Sequence, residues 1–444
     1  MANNEEGRQA TTQHEIQLMR QQLLPSMSED IEAALKSLNE STGESSCSIF
    51  RVPQALAGGI AEACLPRIVS IGPYHHGESQ LQMFQGHKWR YLHTMLERTQ
   101  PHGICLGNLI EIVASKEKMI RQCYSESIDN FSGPDLVKMM VLDGCFIIEF
   151  LRQIAGYIRP DKILLINSNS FVLLSLGRDL LRLENQVPYF VLEDLFEMTN
   201  IPKTTSSLDN LAFRFFSCFL EGPAIVGERP RGVHLLDLFR LSLIPRDQQD
   251  NLVEESSSYH TIRSASEFRR VGIGFKRSEA STFLEIKFDS KRRTVGIPKI
   301  EIDHDLNCIL SNMVAFEQCR GQVDGHITTY AMFMGCLIHT GDDVQLLRDR
   351  KVISNHGMSN EDVARFFGDL CKDVYFDVRG SYLRSHFAIL NEYLKYERAY
   401  LCYAQLLNAF HDNPWSVLSG LAVVVTLIGM IQSVYTVLQY YHPK

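Results

Sequence analysis

Apolar positions recur at helical spacing through most of this chain. Trp89, Leu92 and Leu96 stand at i, i+3 and i+7, and Met139, Leu142, Phe146, Phe150 and Ile154 repeat the pattern, so each set predicts a helix burying one face. Leu180 to Glu184 closes a third helix before Asn185-Gln186-Val187-Pro188, where the proline disfavours continuation and suits the start of the next helix, which carries Phe190, Leu192, Leu195 and Phe196. Between Ile244 and Ile262 the sequence is polar and without period, which predicts an exposed loop. The period then changes to two. Val271, Ile273 and Phe275 alternate, as do Leu284, Ile286 and Phe288, and Val295 and Ile297 follow a turn at 289–293. This pattern predicts a small antiparallel meander near 271–302, with Pro298 placing its last strand at an edge. Helices resume after Asp303 or Asp305 as N-cap and continue through Leu337, Leu346, Val363, Phe366 and Leu370 to the run from Tyr382 to Phe410. The expected class is mainly α (α+β), a helical body over 49–412 with one β insertion.

The flanks break this pattern in opposite ways. Residues 1–48 carry eight acidic against three basic side chains and little apolar periodicity, which predicts a largely disordered acidic tail with one short helix over 31–38. Residues 413–443 contain no Asp, Glu, Lys or Arg, and 417–438 form a 22-residue apolar stretch. At 1.5 Å per residue such a helix is about 33 Å long, enough to cross a bilayer. Its twelve Val, Leu and Ile residues contribute about −4 to −7 kcal/mol on the insertion scale before the polar positions are subtracted. The expectation is a single-pass C-terminal membrane helix over 417–438, within a terminal unit 413–444, inserted as a tail anchor.

The whole chain has 444 residues with a net charge of -8, which argues against general nucleic-acid binding; any basic surface is local. Ten basic residues against four acidic ones lie between Arg263 and Lys299. Lys291, Arg292 and Arg293 at the predicted hairpin tip would suit anionic lipid, at about 1 kcal/mol per basic residue near the surface. The alternative is a solvated hairpin whose edge tolerates lysine. Eleven cysteines, an odd number without CxxC pairs, read as reduced core thiols, and the start of the chain has no apolar signal region. Both favour a cytosolic body.

Candidate chemistry is sparse. His75 and His76, with His87 downstream, suggest a metal or acid–base cluster, but adjacent residues in an extended segment face opposite ways and no ligand-spaced Cys or carboxylate accompanies them. Gly72-Pro73 and Gly77 argue for a turn. Asp143, Glu149, Glu184 and Glu317 sit in apolar helical stretches, where burial would raise a carboxyl pKa, yet backbone hydrogen bonding at helix ends is the plainer role. Gly272-Ile-Gly274 lacks the third glycine of a dinucleotide loop, and the GxSxG, HExxH and Walker A patterns are absent. No catalytic residue, metal ligand or cofactor is therefore assigned, and enzymatic activity is not expected.

Six ordered segments nevertheless form a recognisable set: Ser70-Ile-Gly-Pro-Tyr-His-His-Gly77, His87-Lys-Trp-Arg-Tyr-Leu92, Met140-Val-Leu-Asp-Gly-Cys-Phe-Ile-Ile-Glu149, Leu183-Glu-Asn-Gln-Val-Pro188, Ala315-Phe-Glu-Gln-Cys319 and Asn413-Pro-Trp415. Together they resemble the plant family called domain of unknown function 247, or uncharacterised protein family 0481. The sequence departs from that family's usual pattern at Ala55 to Ile60 and at Gln85-Gly86. The resemblance implies a plant-specific, largely helical protein with a C-terminal membrane span and no established enzymatic activity. Some grass members of the family resemble pollen-side self-incompatibility determinants that recognise small secreted proteins at the plasma membrane. The reading is a membrane-anchored recognition or signalling scaffold with a protein or peptide partner. The alternative is a membrane-associated enzyme using His75, His76 or a buried carboxylate. Recognition of a secreted partner would place the body outside the cell, against the thiol argument, so its side of the membrane is open.

Overall fold

The structure is a computed structural model that describes residues 47–53, 56, 60–157, 170–200, 206–219, 231–245, 262–321, 324–395 and 425–433, with the isolated positions 25 and 29. After a single helical turn at Ala61–Cys64, the described helices of the first half are α1 (Gln85–Thr99), α2 (Leu106–Ala114), α3 (Glu117–Gln122), α4 (Gly133–Ile154), α5 (Ser170–Leu180), α6 (Tyr189–Thr199), α7 (Leu208–Phe216) and α8 (Leu235–Leu243). The second half contains α9 (Ala265–Arg270), β1 (Gly274–Ser278), β2 (Lys287–Asp289), β3 (Thr294–Pro298), β4 (Ile300–Ile302), α10 (His304–Arg320), α11 (His326–Leu337), α12 (Gly341–Asp349), β5 (Ile353–Asn355), α13 (Asn360–Leu370) and α14 (Arg384–Lys395).

Two helices buried almost all round organise the fold. In α4, the Ser132 hydroxyl accepts the Asp135 N–H, Pro134 fits the first turn, and every residue from Met139 to Arg152 is buried. It packs against α1, α2, α3, α6 and α7, and at Gly144 an added Cβ would stand 2.5 Å from a Leu195 methyl, so α4 and α6 approach through that glycine. In α10, Asp303 caps the N-terminus by accepting the N–H groups of Asp305 and Leu306, and every residue from Cys308 to Glu317 is buried. A helix buried on all sides belongs in the centre of a fold, and α10, which also buries Ser311, Asn312 and Glu317, packs against the Ala61–Cys64 turn, α5, α8, α11, α13 and β4. One continuous apolar core joins the two halves.

Most helices follow the expected periods, but the third ends at Leu180, so Leu181 to Glu184 form a turn beyond it rather than its last residues. One shift matters: the buried face of α1 is Lys88, Tyr91, Leu92, Met95 and Thr99, with Leu96 half-buried, so Trp89 lies on the other side and is 45% exposed. The sheet differs from the expected antiparallel meander. Its three strands run β1-β3-β2, with β1 parallel to β3 and β2 antiparallel to it. Val271 ends α9 rather than opening a strand, and the loop between β1 and β2 returns the chain to the far side of β3. β3 is therefore central, and Pro298 is not on an edge strand. Pro298 is tolerated because β2 pairs only as far as Gly296, leaving the proline beside β1 alone. A second, parallel pair joins β4 to β5.

Among the described residues no helix is long and apolar enough to cross a membrane. Of the expected span, only 425–433 is described; it is helical, and Val425, Leu427, Ile428, Met430 and Ile431 are more than half exposed. The expected helix over 31–38, nearly all of the acidic tail and most of the predicted loop at 244–262 lie outside the described residues.

Candidate functional site

His75 and His76 lie in a turn at 74–77, as the flanking glycines predict, and face apart: His75 is buried, while His76 is exposed and meets the edge of Phe131. His75 Nδ1 lies 2.7 Å from Glu78 Oε1 and Nε2 lies 3.0 Å from Glu184 Oε2. Glu184 also accepts the Val52 N–H at 2.9 Å and meets Arg51 at 3.2 Å, and Arg51 donates to the Tyr74 carbonyl at 2.8 Å. This is a clamp across three segments, 51–52, 74–78 and 184. Burial alone would raise the Glu184 carboxyl, but hydrogen bonds from His75 and Val52 and the Arg51 charge together hold it below its ordinary value. Both His75 nitrogens face carboxylate oxygens, so neither is open to a substrate.

The other three carboxylates also bond protein groups, although Glu149 does so through Oε1 alone and its buried Oε2 has no hydrogen-bond partner among the described residues. Asp143 Oδ1 pairs with Lys88 Nζ at 2.5 Å, both side chains being 1% exposed, and Asp143 Oδ2 accepts the Gly72 N–H at 2.8 Å. Lys88 also donates to the Ser70 carbonyl. Gly72 has φ +71°, and a Cβ there would stand 2.5 Å from the Gln186 carbonyl, so the turn needs glycine twice over. Glu149 pairs with Arg98 at 2.6 Å, and Arg98 also donates to the Thr199 carbonyl. Glu317 accepts the N–H groups of Ile327 and Thr328 at the start of α11, together with the Thr328 hydroxyl, and lies 3.4 Å from Arg240. Its burial raises the carboxyl against those donors. Helix-end capping, expected for all four, thus holds for Glu317; Glu184 lies in a turn and bonds His75 and the Val52 N–H, and Asp143 and Glu149 pair with cations because their helix positions face basic residues on α1.

Several residues in this lattice escaped the sequence. Asp179 accepts three successive backbone N–H groups, from Arg67, Ile68 and Val69, and binds Arg182 Nε at 2.9 Å. Asn185 bridges the Ile71 N–H to the carbonyls of Val69 and Asp179. His234 is fully buried; its Nδ1 accepts the Asp237 N–H, so its Nε2–H donates to the Ser48 carbonyl at 3.0 Å. Burial pushes its pKa down to about 4. The segment at 67–75 lacks regular structure, so its backbone donors need side-chain partners. Asn185 and Gln186 were visible inside a motif; Asp179 and His234 had no signal beyond being polar within apolar runs.

The ten described cysteines are free thiols, and not all are core: Cys105 and Cys218 are exposed. Burial raises the thiol pKa of Cys64, Cys123, Cys145 and Cys308, which keeps those four protonated and weakly nucleophilic. Among the described residues no cluster of three or more His, Cys, Asp or Glu could hold a metal ion.

The surface offers what the interior does not. Trp89 of α1, Leu106 and Ile110 of α2, and Val137 and Val141 of α4 enclose an apolar groove of about 640 Å³. Trp89, Leu106 and Ile110 are each at least 40% exposed. Leu106 and Ile110 stand one turn apart on α2, whose N-terminus is fixed by Asn108 accepting the Cys105 N–H. Lys138 sits on the rim with its ammonium 5.7 Å from the Trp89 ring centre, and Glu117 on the opposite rim is bonded to Arg121. Elsewhere, Lys291 and Arg292 occupy the exposed turn between β2 and β3, where Arg292 approaches Asp289. Arg293 is half-buried against Tyr393 in a left-handed conformation, φ +48°.

The chain matches the profile of DUF247, a plant protein family of unknown function, over residues 49–429. It is 37% identical to UPF0481 protein At3g47200 of Arabidopsis thaliana across 92% of this chain and 90% of that relative. A second UPF0481 protein of that plant, At3g02645, is 23% identical across 94% of each. No solved structure matches the chain.

Proposed function

Because the chain belongs to this plant family of unknown function, DUF247, we propose that it is a membrane-anchored recognition scaffold rather than an enzyme. Its α1/α2/α4 groove takes a peptide segment that presents large apolar side chains beside an acidic one. The groove carries this reading: its lining is mainly apolar, and the one cation in that lining, Lys138, forms no ion pair with a carboxylate among the described residues. Contiguous exposed apolar surface of this kind marks interaction sites, and an acidic side chain reaching Lys138 would fix the register of the bound segment. Support for a non-enzymatic role comes from the polar interior, where His75 and the four buried carboxylates are all bonded to other protein groups. Support for anchoring comes from the apolar stretch at 417–438 and the exposed apolar helix at 425–433.

The test is selection of a random peptide display library on the full chain reconstituted in lipid nanodiscs. Wild type should enrich peptides pairing bulky apolar residues with Asp or Glu. Ile110→Asp should abolish enrichment, and Lys138→Glu should exchange the acidic preference for a basic one. Enrichment that ignores both substitutions, or none at all, overturns the groove reading. Anchoring is checked separately: alkaline extraction should leave the full chain in the membrane and release a variant lacking 417–444. A tag at the N-terminus that resists protease in intact right-side-out membranes is expected for a cytosolic body; cleavage there puts the body outside.

A further inference from the structure

A second concave site, sharing no lining residue with the groove, lies where α12 ends and β5 begins. Arg348 at the end of α12, Lys351 in the following turn, Lys299 between β3 and β4, and Arg277 on β1 surround a pocket of about 470 Å³. Asp349 is the one acidic residue in its lining. Four cations therefore face one carboxylate. The chain is driven into this arrangement. Lys351 adopts a left-handed turn, φ +58°, closed by its N–H donating to the Arg348 carbonyl at 2.8 Å, which sets both cations beside each other. The parallel register of β5 on β4, Ile353 against Ile300, then brings Lys299 to the same opening.

The cations are little neutralised by the protein. Arg348 donates to the neutral Asn360 amide at 2.9 Å, Arg277 reaches Glu279 only at 3.8 Å with both side chains largely exposed, and no carboxylate contacts Lys351 among the described residues. Lys299 alone has a close acidic partner, Glu301, which is outside the lining. Even Asp349 has its Oδ1 engaged by Gln345 Nε2. Convergent cations in a concavity focus a positive potential, and guanidinium and ammonium groups together suit the oxygens of a phosphate. We propose that this pocket binds a phosphate-bearing polyol, either free or as the headgroup of a phosphorylated inositol lipid. The volume accommodates a ring carrying more than one phosphate, and Ser354 and His356 at the rim offer hydrogen bonds to its hydroxyls. The site is separate from Lys291 and Arg292. Those residues stand beside Thr294, at the opposite end of β3 from Pro298 and Lys299, about 13 Å away over four residues of strand.

Titration of the full chain in nanodiscs of phosphatidylcholine with inositol hexakisphosphate should give saturable binding. Arg348→Gln combined with Lys351→Gln should weaken it at least tenfold, and Arg277→Gln should weaken it less, while Lys291→Gln with Arg292→Gln leaves it unchanged. All these side chains are exposed, and unchanged circular dichroism verifies the fold. Replacing part of the nanodisc lipid with phosphatidylinositol bisphosphate distinguishes the sources. Competition against the free probe identifies the lipid headgroup; its absence, with free binding retained, identifies a soluble phosphate. Non-saturable binding, or an equal loss from the hairpin substitutions, reduces the effect to general surface charge and overturns the site. This test is independent of the apolar groove, which none of the substitutions touches.

Discussion

The interior around 67–75 and the groove of α1, α2 and α4 share two helices but treat their side chains in opposite ways. Inside, polar groups are numerous and engaged: Lys88 with Asp143, Asp179 with three backbone N–H groups, Asn185 with the chain on both sides of it. On the groove side of the same α1, Trp89 leaves apolar surface exposed beside Leu106 and Ile110 of α2, with Val137 of α4 in the groove lining and no covering element among the described residues. The difference teaches where function can lie. A polar lattice whose groups are largely bonded to one another costs its desolvation once and then fixes a conformation; it leaves little valence for a ligand. The resemblance motifs fall mostly in this lattice, so they report how the fold is held more than what it recognises.

The sharpest way to break the comparison is to unpair the interior. Asp143→Ala leaves the Lys88 ammonium 1% exposed without its counter-charge, and stability should fall by about 3–5 kcal/mol, read from the urea midpoint of the detergent-solubilised chain. Lys88→Met combined with Asp143→Leu should recover most of that loss. A neutral Asp143→Ala would mean that the lattice is dispensable.

Acid should act on the same region next. His234 titrates near 4 in the fold and near 6.5 unfolded, so the unfolded chain binds the extra proton between those values. Stability is therefore full above the unfolded value and declines as pH falls from about 6.5 towards 4, by about 3 kcal/mol in total. His234→Asn, which retains an N-cap, should flatten that window. Glu184 adds a loss at lower pH: its folded value is depressed, so its contribution is present above about 4.3 and disappears as pH falls through the folded value. An unchanged slope in His234→Asn would assign the acid sensitivity elsewhere.

The smallest stability effect belongs to the groove. Ile110→Asp, at a position 43% exposed, should change stability by less than about 0.5 kcal/mol while lowering the emission of a bound apolar dye. A large destabilisation would make the groove part of the core and dissolve the contrast between the two regions.

The helices were legible because burying one face imposes a 3.6-residue period that survives in the sequence, and α4, α6 and α10 appear where that period, Pro188 and Asp303 put them. Strand pairing was not legible. Alternation at Phe275, Phe288 and Val295 says which side of a strand is buried, but not which strand lies beside it, and the loop between β1 and β2 made β3 central. Trp89 went astray for a related reason: at i−3 from Leu92 it fits the periodic stripe, yet the buried face of α1 includes Lys88, a residue no apolar pattern would choose. The sequence by itself determined the mainly helical class, the family, the apolar character of 417–438 and the burial of Asp143, Glu149, Glu184 and Glu317, since each follows from local composition and spacing. Only the tertiary structure decided the partners of those acids, the order of the strands, the groove, and the meeting of Arg277 and Lys299 with Arg348 and Lys351. Those depend on contacts between residues distant along the chain, and spacing carries no information about which distant segment will stand opposite.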